Sequence, residues 1–131
     1  MDINHISEID IHCISLATYT EANTQPLEAK LGVIFTIMNR VRSGKFGHDA
    51  CDVTFSKGQF IGIQNMIKTN EKNIDKKTLL KTKLLVIDTL LFKKYANPIG
   101  NTTYYFHDDS IDMQHIWKKQ KAVKLGKLVF Y

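Results

Sequence analysis

Tyr19-Thr20-Glu21-Ala22-Asn23-Thr24-Gln25-Pro26 joins two stretches whose apolar residues recur at helical spacing. The first predicted helix begins after Ser7, a candidate N-cap supported by Asp10 three residues later, and it ends near Asn23-Thr24-Gln25. Pro26 suits the first turn of a second helix, which extends to Arg42 and stops at Gly44. The segment therefore places a carboxylate, Glu21, at the junction of two helices that must pack together.

Glu21 has two interpretations. If its side chain faces a cleft with apolar walls, the charged form is disfavoured and the pKa rises, so the acid can give a proton to a leaving oxygen. Alternatively, Glu21 is a solvated charge at a helix end, which is the commoner case for a carboxylate. The residue alone leaves both interpretations open.

The middle of the chain predicts one further long helix. Glycines interrupt residues 43–62, where Val53-Thr54-Phe55 is a candidate for a short extended segment. The apolar run from Leu79 to Phe92 predicts a helix that ends near Tyr95. Because its apolar residues cover more than one face, we expect this helix to be the buried centre of the fold.

The C-terminal third predicts strands. Thr102 to Phe106 is β-branched and aromatic, and residues 121–125 and 127–131 flank Gly126 as a hairpin. Helices followed by a small antiparallel sheet indicate an α+β fold, in which the sheet caps the helical core and leaves a groove. The length of 131 residues suits a single domain, 1–131.

Composition restricts the partners. The net charge is +5 and the pI is about 9.2, so nucleic acid, anionic lipid and the acidic bacterial wall are all suitable partners. The chain has no recognisable nucleic-acid-binding motif and no apolar stretch long enough to cross a bilayer, so we expect neither nucleic acid binding nor stable membrane insertion. The polar N-terminus does not resemble a secretory signal, so synthesis in the cytoplasm is expected.

Cysteines, metals and cofactors contribute little to the interpretation. Cys13 and Cys51 do not make a disulfide framework, and Cys13, within an apolar helical run, is predicted to be a buried thiol. A polar cluster has the spacing of neither a zinc site nor a calcium loop, so no metal is expected; its members are His107, Asp108, Asp109, Asp112 and His115. No cofactor is expected either.

Four sequence blocks, in this order, resemble the SleB-like cell wall hydrolase family, which includes the catalytic domains of spore cortex-lytic enzymes. The resemblance extends from about Leu16 to Tyr131. The blocks are Ala17-Thr18-Tyr19-Thr20-Glu21-Ala22 with Pro26-Leu27-Glu28; Val33 through Asn39-Arg40-Val41-Arg42-Ser43; Gly58-Gln59-Phe60; and Tyr104-Tyr105-Phe106-His107 with Trp117 and Val129-Phe130-Tyr131.

The resemblance implies a lysozyme-like α+β fold and cleavage of the bond between N-acetylmuramic acid and N-acetylglucosamine in peptidoglycan. It also implies that Glu21 is the catalytic acid of a lytic transglycosylase. The chain departs from the family at Gln25, where a second acidic residue is usual, and at Thr24, where Gly is common. Further departures are Ile61-Gly62-Ile63 and the absence of a His before the last aromatic pair. These departures concern the substrate subclass more than the reaction type.

The two types of glycan cleavage require different numbers of carboxylates. A hydrolase usually adds a second carboxylate, for which Glu28 is the nearest candidate. A transglycosylase can work with Glu21 alone, which protonates the glycosidic oxygen and then takes the proton of the muramic acid C6 hydroxyl. Sugars suit aromatic faces beside polar groups, and the candidate substrate-binding residues are Glu28, Gln59, Tyr104, Tyr105, His107 and Tyr131.

Three structural expectations accompany this interpretation. Phe60 and Trp117 are expected in the core, and each of the aromatic residues 104–106 is a candidate either for strand packing or for substrate contact. Asn39, which is polar in the middle of a helix, either bonds to the active-site loop or is exposed. The chain is expected to be a monomer that acts on the bacterial cell wall.

Two rival functions and two origins stay open at this stage. The rivals to transglycosylation are a muramidase that uses water and a non-catalytic glycan-binding module. A phage lysis or virion enzyme suits the compact length, and a bacterial remodelling enzyme cut from a longer precursor is the alternative.

Overall fold

Helix α1, Glu8–Ala22, is the centre of the fold. The computed structural model describes residues 5–56, 60, 74–108 and 122–131. Ten of the fifteen residues of α1 are buried, and the helix packs against the three other helices of these ranges. Ser7 is its N-cap, as predicted, and the cap is a capping box: the Ser7 hydroxyl accepts the Asp10 N–H at 3.1 Å and the Asp10 carboxylate accepts the Ser7 N–H at 3.3 Å. Asn23 caps its C-terminus.

Helix α2, Leu27–Ser43, confirms the second predicted helix. Pro26 occupies the N-cap position, one residue before the predicted position in the first turn, and Gly44 ends the helix in the left-handed conformation with φ 71°. Val33, Ile34 and Ile37 lie in the hydrophobic core. Because α1 and α2 meet at residues 23–26, the end of α1 is held against the start of α2.

Helix α3, Ala50–Phe55, corrects the prediction of an extended segment at Val53-Thr54-Phe55. Asp49 caps this helix by accepting the Asp52 N–H at 2.8 Å, and Val53 and Thr54 pack inward against α1 and α2. The capping and the packing override the preference of β-branched residues for strands.

Cys13 of α1 and Cys51 of α3 form a disulfide, with their Cα atoms 5.2 Å apart. The prediction that Cys13 is a free buried thiol is therefore wrong. The sequence conceals this bond because its two ends are 38 positions apart and meet only when α3 packs on α1.

Helix α4, Lys76–Leu90, begins where Asp75 accepts the N–H groups of Lys77 and Thr78. The prediction that it is the buried central helix is wrong. In the described part of the chain α4 packs chiefly on α1, so only one stripe is covered, with Thr82, Val86 and Thr89 as its buried residues. The helix also ends at Leu90, earlier than the predicted end near Tyr95.

Within the described residues, the sheet contains three antiparallel strands in the order β1-β3-β2. Strands β1, Tyr105–His107, and β2, Val123–Leu125, flank the fully buried β3, Leu128–Phe130. The hairpin around Gly126 is confirmed, and its turn requires the positive φ of 59° at that glycine. The predicted strand at 102–106 is present but displaced toward the C-terminus, although Tyr104 still exchanges two backbone hydrogen bonds with Tyr131.

The sheet docks on α2 through its central strand. The Phe130 ring lies so close to Gly32 that a Cβ atom at Gly32 would overlap it. Phe60, predicted to belong to the core, is fully buried in the same cluster. Helices and sheet thus share one core, which confirms the predicted α+β arrangement. None of the helices within the described ranges is both long enough and apolar enough to span a membrane.

Candidate active site

Glu21 lies in the last turn of α1, where the helix meets the sheet, and it is half-buried. The side chain of Glu21 is hydrogen-bonded to the hydroxyl of Tyr105 on β1. A fully solvated charge would have neither this burial nor this partner. The carboxylate is therefore turned toward the C-terminal sheet.

Tyr105 is held between the helical core and the sheet. Its ring centroid is 5.5 Å from that of Phe130 and 6.5 Å from that of Phe60. Burial, and then the negative charge and hydrogen bond of Glu21, raise the pKa of the Tyr105 hydroxyl well above its ordinary value, while the positive charge of Arg40 acts in the opposite direction. The hydroxyl is therefore neutral at physiological pH and can donate its proton to the Glu21 carboxylate.

Arg40 of α2 places a buried positive charge near this pair. The residue is 5% exposed, and its Nε donates to the carbonyl oxygen of Thr103 at 2.7 Å. Burial lowers the pKa of the guanidinium. Four nearby groups act in the opposite direction and raise it: Tyr105, Tyr104, Tyr131 and Glu21. Arginine remains protonated in proteins because its pKa lies far above neutrality.

Aromatic rings surround the Arg40 guanidinium. Its central carbon is 4.7 Å from the ring centroid of Phe46, 5.3 Å from that of Phe60 and 5.6 Å from that of Tyr104. Such cation–π contacts partly replace the water that the buried charge has lost. Arg40 therefore joins the end of α2, the Phe46 loop and the start of β1 into one unit.

Tyr104 and Tyr131 form an aromatic pair beside this unit. Their rings stack with centroids 5.5 Å apart and an interplanar angle of 20°. Phe106 also contacts Tyr131, with a centroid distance of 5.6 Å. Tyr104 is exposed and Tyr131 is partly exposed, so the pair offers both ring surface and phenolic hydroxyls to a ligand.

Asn39 fixes the loop that leads into β1. It is buried, and its side-chain amide donates to the carbonyl oxygens of Gly100 and Thr102, each at 2.8 Å. Of the two alternatives for Asn39, bonding to a loop of the site is therefore the one that the structure bears out. Arg40 then holds the next carbonyl of the same loop, that of Thr103.

Gln25, at the position of the family's second acid, ties the turn between α1 and α2 to the C-terminal hairpin. Its side-chain oxygen accepts the backbone N–H of Lys127 at 3.0 Å. Gly126 approaches Gln25 and Pro26 so closely that a Cβ atom at this glycine would overlap both. The residue that departs from the family pattern thus positions the sheet next to Glu21.

The other predicted site residues lie in different surroundings. Glu28 is exposed in the first turn of α2, and His107 is exposed at the end of β1. Gln59 and Trp117 lie outside the described residues, as do Asp109, Asp112 and His115 of the polar cluster. The structure therefore gathers Glu21 with Tyr104, Tyr105 and Tyr131, but it does not bring Glu28 or His107 into the contacts of that group.

Sequence reasoning missed Arg40 and Phe46 as components of the site. Arg40 follows Val33 by seven positions and Ile37 by three, so it lies on the inward face of α2. A charged residue at a core position of a helix is a signal that could have identified it. Phe46 follows a glycine in a loop, and no periodic pattern marks it.

Among the described residues, three metal-ligand side chains lie close together, but their bonds argue against a metal site. They are Asp10, Asp49 and Cys51. Cys51 is bound in the disulfide, and the two carboxylates cap α1 and α3. The expectation that the protein uses no metal stays a prediction.

A family model described as cell wall hydrolase matches residues 24–131. The chain belongs to this family. The matched range contains Arg40, Tyr104, Tyr105 and Tyr131, and it begins three residues after Glu21. The predicted family resemblance is thereby confirmed.

Curated relatives and solved structures agree with the family assignment. The spore cortex-lytic enzymes of Oceanobacillus iheyensis and Bacillus subtilis are 28% and 25% identical over 127 residues, which is 95% of this chain. The chain spans 42% and 38% of their lengths, about two fifths. The chain is therefore similar to one part of these longer proteins.

Two solved structures share the fold. The catalytic domain of the Bacillus cereus SleB protein superposes with a TM-score of 0.73 at 27% identity, covering 97% of this chain and 92% of that one. The catalytic domain of the germination-specific lytic transglycosylase SleB from Bacillus anthracis gives a TM-score of 0.68 at 27% identity, covering 97% of both chains. The predicted fold class is confirmed.

Proposed function

We propose that this cell wall hydrolase cleaves the glycan strand of peptidoglycan by lytic transglycosylation, with Glu21 as the single catalytic acid and base. The observation that carries the proposal is the half-buried position of Glu21 beside the Tyr105 hydroxyl and the buried Arg40, two groups that would stabilise the carboxylate left after proton transfer. The similar proteins, a lytic transglycosylase among them, support the reaction type.

In the first step, the protonated Glu21 gives its proton to the oxygen that links N-acetylmuramic acid to N-acetylglucosamine. The bond between that oxygen and the muramic acid C1 breaks, and positive charge develops at C1. The Tyr105 hydroxyl donates to the carboxylate that remains, and the fixed charge of Arg40 stabilises it. Both groups are held by packing before the reaction, so little reorganisation is needed.

In the second step, the C6 hydroxyl of the same muramic acid attacks C1 while the Glu21 carboxylate takes its proton. The products are a 1,6-anhydro end and a new non-reducing end, no water is consumed, and Glu21 returns to its acid form. This sequence needs one carboxylate. The position of Gln25, whose amide oxygen is occupied by the Lys127 N–H, suits such a scheme because Gln25 has no acid to contribute.

The exposed aromatic pair is proposed to bind the sugar. Tyr104 and Tyr131 present stacked rings next to Tyr105, and sugar rings place their apolar faces on such surfaces. Glu28, Gln59 and His107 are further substrate-binding candidates, and the exposed positions of Glu28 and His107 would suit more distant subunits of the glycan strand.

Residues 1–131 are proposed to form a single catalytic domain, because the match covers nearly all of two solved catalytic domains. The place of action is proposed to be the wall, outside the cytoplasm, where the Cys13–Cys51 disulfide is stable. The net charge of +5 favours approach to an anionic wall. A phage lysis or virion enzyme is the origin proposed from the sequence.

The test is the digestion of purified sacculi with wild type and with Glu21→Gln, followed by mass spectrometry of the fragments. We expect wild type to release anhydro ends and Glu21→Gln to lose at least about a hundredfold in rate while still binding sacculi. Glu8→Gln is the matched control, because Glu8 is an exposed glutamate at the other end of α1.

Two outcomes would contradict the proposal. Fragments heavier by one water would show that the enzyme is a hydrolase. Wild type that binds sacculi without releasing fragments, and a Glu21→Gln variant that behaves identically, would show a glycan-binding module.

A further inference from the structure

The outer face of α4 carries an exposed apolar ridge. Leu80 is 57% exposed, Leu84 is 53% exposed, and Leu91, the C-cap residue, is 49% exposed. With about 3.6 residues per turn, spacings of four and seven place these three leucines on one side of the helix. Buried Thr82, Val86 and Thr89 occupy the opposite side.

Two neighbouring residues extend the ridge. Phe92, directly after the helix, is 74% exposed, and Ile9 of α1 is 71% exposed. Ile9 lines the same shallow surface depression as Lys83 of α4, so it lies beside the ridge. Single exposed leucines are ordinary, but five large exposed apolar side chains on and near one helix are typical of a binding surface. This set is called the leucine ridge below.

Lysines border the leucine ridge. On the helix, Lys77 and Lys81 lie on one side of the leucines, and Lys76 and Lys83 lie on the other. Lys76, Lys77 and Lys81 are exposed. Asp88 is the one acidic residue within Lys76–Leu90, and it is half-buried. Asp88 lies in the same row as Lys77 and Lys81, Asp75 caps the helix, and Glu8 lines the depression with Ile9 and Lys83. Four lysines against these three carboxylates leave the border of the ridge with a net positive charge.

From this arrangement we propose that the leucine ridge of α4 binds the surface of an anionic lipid bilayer, with α4 lying in the plane of the interface. An apolar stripe between rows of lysines is the pattern of helices that bind at the bilayer interface. The leucines enter the boundary between head groups and acyl chains, and the lysines contact anionic head groups.

The composition of the surface favours lipid over a protein partner. Lysine is depleted at protein–protein interfaces, whereas at a bilayer its long apolar stem can lie along the boundary while the ammonium group stays in water. The part of the leucine ridge that lies on α4 is also convex, since it is one side of a single helix. Binding of this type is reversible and does not need a helix that spans the membrane.

The experiment measures flotation of the full chain with vesicles, one set of phosphatidylcholine alone and one an equal mixture of phosphatidylcholine and phosphatidylglycerol. We expect binding to the mixed vesicles, weak or no binding to phosphatidylcholine, and a loss of binding as salt is raised. The readout does not involve catalysis, so its result is independent of the proposed function.

Two variants test the assignment to α4. Leu80→Ser with Leu84→Ser should weaken binding about tenfold or more, because it removes the apolar contact. Lys81→Glu should also weaken it about tenfold on the mixed vesicles. The matched controls are Leu27→Ser and Lys45→Glu, which make the same changes at exposed positions on or near α2 and should alter binding by no more than about twofold.

Several results would overturn the proposal. The first is an absence of binding to the mixed vesicles at low salt. The second is binding that both α4 variants retain, because such binding would reflect the net charge of the protein alone. A third is a wild type that is dimeric by light scattering and becomes monomeric on Leu80→Ser with Leu84→Ser, since the ridge would then be an interface between two copies.

Discussion

Reduction of the Cys13–Cys51 disulfide should destabilise the fold by several kcal/mol. The bond joins residues 38 positions apart. On the chain-entropy model, closing a loop of that length removes enough freedom from the unfolded chain to stabilise the native state by about 4 kcal/mol. Because a domain of this size has a total stability of about 5–15 kcal/mol, the loss would be a large part of it. Cys13 is buried, and a reduced thiol is acceptable in an apolar site, so the native packing itself should change little.

The assay is urea unfolding followed by circular dichroism, with and without a reducing agent. With a slope of about 2 kcal/mol per molar urea, the midpoint should fall by about 2 M on reduction. Cys13→Ala with Cys51→Ala provides the control, since its midpoint should be low and insensitive to the reducing agent. Titration of free thiols before and after reduction checks that the bond was present and was broken.

Two results would refute the reasoning. One is a wild-type midpoint that does not move although the thiols have become titratable. The other is a Cys13→Ala with Cys51→Ala variant that is as stable as the oxidised wild type. Either result would mean that α3 is held on α1 by packing alone.

Three further predictions concern the site and the sheet. Arg40→Lys should lower activity at least about tenfold and destabilise the protein by about 2–3 kcal/mol, because lysine cannot keep both the hydrogen bond to Thr103 and the ring contacts. Sacculus digestion measures the activity and urea unfolding measures the stability. An unchanged rate and an unchanged urea midpoint would contradict this prediction. The raised pKa of Tyr105 means that folding favours the protonated form of its hydroxyl. Its contribution to the free energy of unfolding is therefore complete below about pH 10 and is lost at higher pH as the unfolded chain ionises. Tyr105→Phe should show a shallower fall of the urea midpoint with rising alkaline pH than wild type, and an equally steep fall in both proteins would refute this. Gly32→Ala should lower the free energy of unfolding by about 1–3 kcal/mol, because the added Cβ atom meets the buried Phe130 ring. Gly44→Ala should lower it by about 1 kcal/mol through backbone strain alone, because the added atom meets open space. A urea midpoint lower for Gly44→Ala than for Gly32→Ala would contradict this prediction.

Local signals explain which parts of the fold the sequence predicts well. The capping of α1 by Ser7, the stop of α2 at Gly44 and the turn at Gly126 depend on neighbouring residues, and the structure confirms all three. Their geometry follows from backbone preferences within a few positions. Such features can be predicted without knowledge of the tertiary fold.

The errors have non-local causes. Val53-Thr54-Phe55 favours a strand by propensity, yet the packing of α3 on α1 and α2 makes it a helix. The apolar run of α4 predicts burial, yet in the described part of the chain α4 packs chiefly on one neighbour and leaves Leu80 and Leu84 exposed. Periodicity reports how apolar a helix is, whereas the number of neighbours it has is decided elsewhere in the chain.

The candidate site divides in the same way. Glu21 and the tyrosines are visible in the sequence as residue types suited to the chemistry, and the family resemblance selects them. The hydrogen bond between Glu21 and Tyr105 is not visible, because it joins a helix end to a strand 84 positions later. Arg40, which touches rings from three separate segments, is recognised only after those segments are assembled.

The assembly of the site depends on two long-range bonds between helices and sheet. Arg40 holds the Thr103 carbonyl across 63 positions, and Gln25 holds the Lys127 N–H across 102 positions. Both bonds bring the C-terminal sheet against the end of α1, and without the sheet Glu21 would lose Tyr105 and become a solvated carboxylate at a helix terminus. The surroundings of Glu21 therefore depend on the docking of the sheet. A change that loosens the hairpin while leaving the helices folded should abolish the proposed catalytic role of Glu21 before it abolishes the fold.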